Sequence, residues 1–317
     1  MRRRTASVWI VLLIAGIVGT AVIRAGASGP PGLKTRGSVG AHVAPRTPHP
    51  APRIAPTRII SLVPAVTEML FAIGAGPSVV AVSSFDHYPS AVEALPRVGA
   101  LVDPDFERIL SLKPDLVVVY GTQGDLIARL TQVHIPLFNY TDQGVPEIAS
   151  EIERLGDQIG RAADGRREAT RIRADLDAVR KAVAGRPRPK TALIIGREQG
   201  SLRGMFASGG VGFMHDLLEI AGGADVFSDL PRKGLQATTE LLLARAPEAI
   251  VEAYPADGWT PAHIADEIKV WQALPTLPAV RTHRVYILAN DALVIPGPRV
   301  TEAARLIART LHPDAVR

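Results

Sequence analysis

The sequence has no cysteine among its 317 residues. That excludes disulfide staples, thiolate zinc sites, cysteine-ligated iron–sulfur clusters, covalent c-type haem, cysteine nucleophiles and a lipid-modified cysteine. Aromatic residues make up only 5% of the chain, and no Asp or Glu occurs before Glu68. Enzymatic signatures are missing too: there is no G-x-S-x-G elbow, P-loop, G-x-G-x-x-G fingerprint or H-E-x-x-H pair. The eight histidines are scattered without metal-ligand spacing. The expectation is a protein that is not an enzyme, with no catalytic residues, no metal site and no resident cofactor.

The charge is unevenly placed. The formal net charge is +5, from 36 basic and 31 acidic residues. Nine of the basic residues lie in residues 1–58, so residues 59–317 hold 27 basic against 31 acidic, a net of −4. The basic excess is thus a property of the N-terminal segment, and nucleic acid is not an expected partner. Three arginines precede the apolar run from Val8 to Ile23, and the small-residue site Ala25-Gly26-Ala27 follows it. This order reads residues 1–27 as a secretory signal peptide or, if uncleaved, an N-terminal membrane anchor. Residues 28–56, rich in Pro and Gly, read as a disordered tether. The location expected is periplasmic or otherwise extracytoplasmic.

From Thr57 onward, short β-branched runs alternate with helical patterns, which implies βαβ units. Residues 57–144 form one such series and residues 187–317 a second. Between them, residues 145–186 are strong helix formers with an apolar stripe at Ile148, Ile152, Leu155 and Ile159, and no strand signal. The fold expected is α/β: two doubly wound lobes with mostly parallel sheets, joined by a single long helix. An internal repeat supports duplicated lobes. Glu107-x-x-Leu110-x-x-x-Pro114-Asp115 recurs as Glu240-x-x-Leu243-x-x-x-Pro247-Glu248, each leading into an apolar strand. Each proline is a helix stop.

Loops leaving strand ends are where open α/β sheets hold ligands. In the first lobe, Ser83 to Pro89 carries Phe85, Asp86, His87 and Tyr88; its aromatics suit a flat or macrocyclic ligand, or equally a cover over the adjacent helix. In the second lobe, three such loops carry Arg203 and Phe206, Tyr254 and Trp259, and Asp291. An arginine there meets ligand carboxylate, amide or phosphate groups, or pairs with a neighbouring carboxylate. Glu107 and Glu240 fall in first helical turns, where the dipole favours a carboxylate, and they occupy equivalent places on the two lobes.

RIISLVPAVTEMLFAIGAG (58–76), VVAVSSFDHYP (79–89), LPRVG (95–99), GREQGSLRGMFASGGVGFMHDLLEIAGGADVF (196–227) and TTELLLARAPEAIV (238–251) together resemble the substrate-binding proteins of ABC importers. The similarity is to the cobalamin, haem and siderophore class with a helical interlobe backbone, and the SSxxxYP step leans toward the cobalamin branch. The resemblance implies capture of a metal-chelate ligand between two lobes that move little. Delivery to a membrane permease and its ATPase follows, the permease pairing its arginines with one glutamate per lobe, here Glu107 and Glu240. A monomer is implied. The sequence departs from the branch where tryptophans often line the cleft: Leu101 stands six before Glu107, Gly234 six before Glu240, and Ala292 follows Asp291. The ligand expected is a corrinoid, with haem or a ferric siderophore as alternatives; for haem, His87 or Tyr88 would be the axial ligand. Rival readings are a tethered enzyme of corrinoid or tetrapyrrole metabolism and a sensor using the same cleft.

Overall fold

The computed structural model describes residues 55–315. The apolar run at residues 8–23 and nearly all of the expected tether lie outside the described residues.

In the first lobe, β1 (Ile59–Ser61), β2 (Val79–Val82), β3 (Leu116–Tyr120) and β4 (Leu137–Tyr140) form a wholly parallel sheet in the order β2-β1-β3-β4. Helices α1 (Pro64–Ala72), α2 (Phe106–Ser111) and α3 (Gly124–Gln132) connect them. Two helices follow, α4 (Val145–Gln158) and α5 (Ala162–Val183). The second lobe is built on β5 (Lys190–Gly196), β6 (Phe206–Ser208), β7 (Ala224–Asp225), β8 (Gly234–Gln236), β9 (Ala249–Tyr254) and β10 (Val285–Ala289). Its sheet runs β10-β9-β5-β6-β8, with β7 also on β5; β7, β9 and β10 are parallel to their neighbours, and β6 is antiparallel to both of its own. Its helices are α6 (Phe213–Ile220), α7 (Thr239–Arg245), α8 (Pro261–Lys269), α9 (Pro278–Arg281) and α10 (Val300–Leu311). The two-lobed α/β architecture is therefore the one expected.

The central strands are apolar at nearly every position because both sheet faces are buried. Side chains alternate across a sheet, so each strand feeds two cores. In β3, Val117 and Val119 face a core private to the first lobe, with Ile60, Ile109 and Leu126. Leu116, Val118 and Tyr120 face another, which also contains Leu193 and Ile195 of β5, Val251 of β9, and residues of α4, α5, α6 and α10. One apolar core thus runs through both lobes. The other face of the second sheet, with Ala192, Ile194 and Ile250, packs on Trp271, Phe227 and Leu277.

The repeated motif is a repeated device. Asp105 caps α2 by accepting from the Arg108 N–H, and Thr238 caps α7 by accepting from the Leu241 N–H. Each helix ends at a left-handed residue, Lys113 at φ 48° and Ala246 at φ 49°, followed by proline. The acid after the proline then clamps the start of a central strand. Asp115 accepts from the N–H groups of Thr57 and Arg58, both at 2.8 Å, and Glu248 from the N–H of Lys190 at 2.9 Å.

The connection between lobes is helical, but it is not one helix. The chain reverses at Gly160, φ 75°, and α4 packs antiparallel against α5. Glu153 and Arg173 pair at 2.6 Å, whereas a continuous helix would hold residues 20 apart about 30 Å from each other. The reversal is made possible by two glycines: a Cβ on Gly156 would lie 2.9 Å from the Arg161 carbonyl and 3.1 Å from the Gly165 Cα. Those neighbours are backbone and cannot step aside. Gly156→Leu is accordingly expected to separate the helices and cost about 2 kcal/mol or more, read as a lowered urea midpoint; an unchanged midpoint would contradict this packing.

Candidate functional site

A parallel α/β unit places the ends of its strands and the N-termini of its helices on one edge, the carboxyl edge of the sheet. The loops that the sequence singled out leave that edge in both lobes.

In the first lobe, the loop after β2 is held from beneath. Asp86 is buried, and its Oδ2 accepts from the Ser83 N–H at 2.9 Å and the Ser83 hydroxyl at 2.5 Å. Arg97 donates to the carbonyls of Ser83 at 3.1 Å and Asp86 at 2.6 Å. Asp86 thus faces inward and shapes the loop, while Phe85 is half-buried and His87 and Tyr88 are exposed. His87 lies 3.2 Å from Glu93, which also pairs with Arg97. Leu101 is half-buried, and its carbonyl accepts from the Gln123 side-chain amide at 2.8 Å.

The second lobe contributes an aromatic stack. The rings of Tyr254 and Trp259 are 4.5 Å apart, and those of Trp259 and His263 are stacked at 4.7 Å. The base of this stack is a buried ionic network. The Tyr254 hydroxyl and the Trp271 indole N–H both donate to Glu252 at 2.6 Å, and Glu252 and Glu267 both pair with Arg197. Arg197 is only 1% exposed, and Glu252 is fully buried. Burial beside Glu252 pushes the Tyr254 hydroxyl far above its ordinary pKa, so it stays a donor. Glu267 also accepts from the Gly200 N–H, which anchors the loop from Arg197 to Arg203 on α8. Arg203 itself is exposed and pairs with Glu198 at 3.1 Å. Phe206 is half-buried on β6, against Gly234. Asp291 accepts from the Ala256 N–H at 2.9 Å, joining the loops after β9 and β10.

The two lobes also meet through polar contacts. Arg299, at the start of α10, makes a bidentate pair with Glu68 of α1 at 3.0 and 2.5 Å, and its guanidinium lies 4.2 Å from the Tyr88 ring centroid. The Tyr140 hydroxyl donates to the Pro296 carbonyl at 3.0 Å, and the Val145 N–H to Asp216 at 2.9 Å. Lys233 pairs with the buried Asp142. These contacts tie the two halves together around the loops just described.

Glu107 and Glu240 stand apart from this cluster. Each is exposed in the first turn of its helix, α2 or α7, and so at the carboxyl edge of its own sheet. Hydrogen bonds from its own N–H and from Thr238 and Thr239 hold the Glu240 carboxyl below the ordinary range. Glu107 has Arg129 at 3.8 Å. Among the described residues no group of three or more His, Cys, Asp or Glu is arranged to hold a metal ion.

Arg197, Glu252, Glu68 and Arg299 were not singled out from the sequence. A glutamate inside the apolar strand AIVEAY is the signal for Glu252, because a buried charge requires a partner. No comparable signal marks Glu68 or Arg299, whose partners lie 231 residues apart.

The sequence profile of a periplasmic binding protein family matches residues 59–292. The ABC transporter substrate-binding lipoprotein YvrC of Bacillus subtilis (strain 168) is 27% identical over 99% of both chains. A vitamin B12-binding protein of Pectobacterium carotovorum is 27% identical, over 81% of this chain and 88% of its own. The solved periplasmic vitamin B12-binding protein BtuF of Vibrio cholerae superposes with a TM-score of 0.69 at 26% identity, covering 82% of this chain and 98% of that one.

Two outcomes check this geometry. Arg299→Met leaves Glu68 buried without its partner and should cost about 3–5 kcal/mol at neutral pH. Burial already raises the Glu68 pKa, so protonation relieves the loss, which should shrink as the pH falls toward about 4 in denaturation curves; a loss independent of pH would contradict the buried pairing. For Asp86, burial likewise raises the pKa, so its contribution to stability is fully present below its unfolded pKa and is lost as pH rises through the folded one. Asp86→Asn should therefore gain in Tm relative to the parent as the pH rises above about 4, and a difference that stays flat would place the carboxylate in water.

Proposed function

The chain belongs to the periplasmic binding protein family, and from that premise we propose that it captures a corrinoid-like metal chelate between its two lobes and presents it to an ABC permease. Its role is that of the substrate-binding protein of an ABC importer; the ligand is the step proposed. One observation carries it: both sheets carry aromatic side chains on loops at their carboxyl edges, Phe85 and Tyr88 after β2 and Trp259 after β9, the last stacked on the buried Tyr254, and both loops stand on buried hydrogen bonds. Flat aromatic surfaces of this kind suit a large, partly apolar ring system. The relatives named as vitamin B12-binding favour the corrinoid among such rings.

The interlobe contacts support capture with little lobe movement. A shared core and buried polar links must all break for a wide opening, so the ligand enters between lobes that are already placed. Loops secured before the ligand arrives lose less entropy when it binds. Such a protein releases its ligand chemically unaltered and works outside the cytoplasm as a monomer. Glu107 and Glu240, one per lobe and both exposed, are suited to a permease with two basic pockets, coupled in turn to its ATPase.

Titration of the purified chain with cobalamin, cobinamide, haem and a ferric siderophore, followed by absorbance and calorimetry, tests the ligand. Binding of the corrinoids ahead of the others is expected; preference for haem or a siderophore would move the ligand class, and binding of none would remove it. Docking is tested separately. Glu107→Lys together with Glu240→Lys should abolish uptake in cells and leave ligand affinity unchanged, and transport at the parent rate would overturn the docking assignment.

A further inference from the structure

A concavity between α5 and α10 borders the ligand loops, reaching Asn290 beside Asp291 and Arg299 beside Tyr88. It encloses about 570 Å³ and is lined by Arg171, Asn290, Arg299, Glu302, Arg305 and Arg309, with Thr301 in the first turn of α10. The placement follows from helical spacing. Thr301, Arg305 and Arg309 are four residues apart and share one face of α10. Arg171 comes from the facing helix, α5.

Four guanidinium groups line this groove against one carboxylate. Three of the four reach carboxylates outside the lining: Arg171 bonds Glu168 and Asp175, Arg305 bonds the same Asp175 at 2.9 Å, and Arg299 bonds Glu68, while Arg309 is engaged as well. Asp175 is therefore shared by two arginines. A guanidinium carries five N–H donors. Arg299 commits Nε and Nη2 to Glu68, which leaves its Nη1 edge outside that pair. The only carboxylate of the lining, Glu302, accepts from the Asn290 amide at 3.0 Å. The first turn of α10 opens onto the same space and adds the positive end of its dipole.

We propose that this groove is a binding site for a multivalent phosphate-type oxyanion, such as a phosphorylated small molecule or the headgroup of an anionic lipid. Planar groups with several N–H donors each, set along α10 and on the facing α5, match a multivalent oxyanion better than they match a single carboxylate. The groove shares Arg299 with the contact on Tyr88, but its test is separate from that of the cleft ligand, because neither probe is a metal chelate.

The test uses the purified chain at low ionic strength with two probes. Inorganic pyrophosphate is titrated by calorimetry, and vesicles of phosphatidylglycerol, against phosphatidylcholine alone, are used in cosedimentation. Saturable binding of at least one probe is expected. Arg305→Ala with Arg309→Ala should weaken it about tenfold, and Glu302→Gln, which keeps the Asn290 contact and removes a negative charge, should tighten it about threefold. Pyrophosphate binding with these responses identifies a free oxyanion; binding only to phosphatidylglycerol with these responses identifies a lipid headgroup. Binding of neither probe overturns the site. So does binding that Glu302→Gln leaves unchanged, a result that stands even if the double variant fails to fold.

Discussion

The whole molecule depends on one apolar core that ignores the boundary between its lobes. Strands of both sheets send alternate side chains into it, and α4, α5, α6 and α10 close it. Because the core is continuous, the lobes share much of their buried surface, and separating them exposes the inner faces of both sheets to water. That constraint is what holds loops on two different sheets in one fixed arrangement. Residues as far apart in sequence as Tyr88 and Arg299 can be kept within 4.2 Å only if the bodies that carry them hold still.

Polar groups inside this frame act chiefly as fasteners. Glu252, set in an otherwise apolar strand, collects Arg197, Tyr254 and Trp271, so that a loop, an aromatic platform and the second core are fixed by one carboxylate. Asp86 does similar work for the loop after β2. A buried ion pair adds less to stability than its Coulomb energy suggests, since desolvation offsets most of it. What these groups supply is a single arrangement of the surface above them, which matters where a ligand must find its contacts already in position.

Much of this fold could be read from local pattern. Apolar runs with β-branched residues marked β3, β5 and β9, and the duplicated Glu-x-x-Leu-x-x-x-Pro stretch marked equivalent helices whose caps, left-handed ends and strand clamps match in detail. The reversal at Gly160 was hidden because the apolar stripe runs up to it at Ile159 and resumes beyond it at Ala169 and Ile172; the break is decided by the close approach of Gly156 and Gly165, a tertiary fact. The site divides in the same way. Aromatics on loops after strands were visible, whereas the inward turn of Asp86 and the pairing of Arg203 with Glu198 depend on geometry. The charges that organise the site, Glu68 with Arg299 and Arg197 with Glu267, join segments 231 and 70 residues apart, beyond the reach of any periodicity.

The clamp of Asp115 on Thr57 and Arg58 fixes where the chain enters its fold: at the amino edge of the first sheet, beneath β1. The loop after β2 and Glu107 lie at the opposite, carboxyl edge of that sheet, as the loops after β9 and β10 and Glu240 do in the second lobe. The two edges of the first sheet are thereby given separate tasks: the amino edge takes up the entering chain, and the carboxyl edge is left clear for the loops and the exposed glutamate.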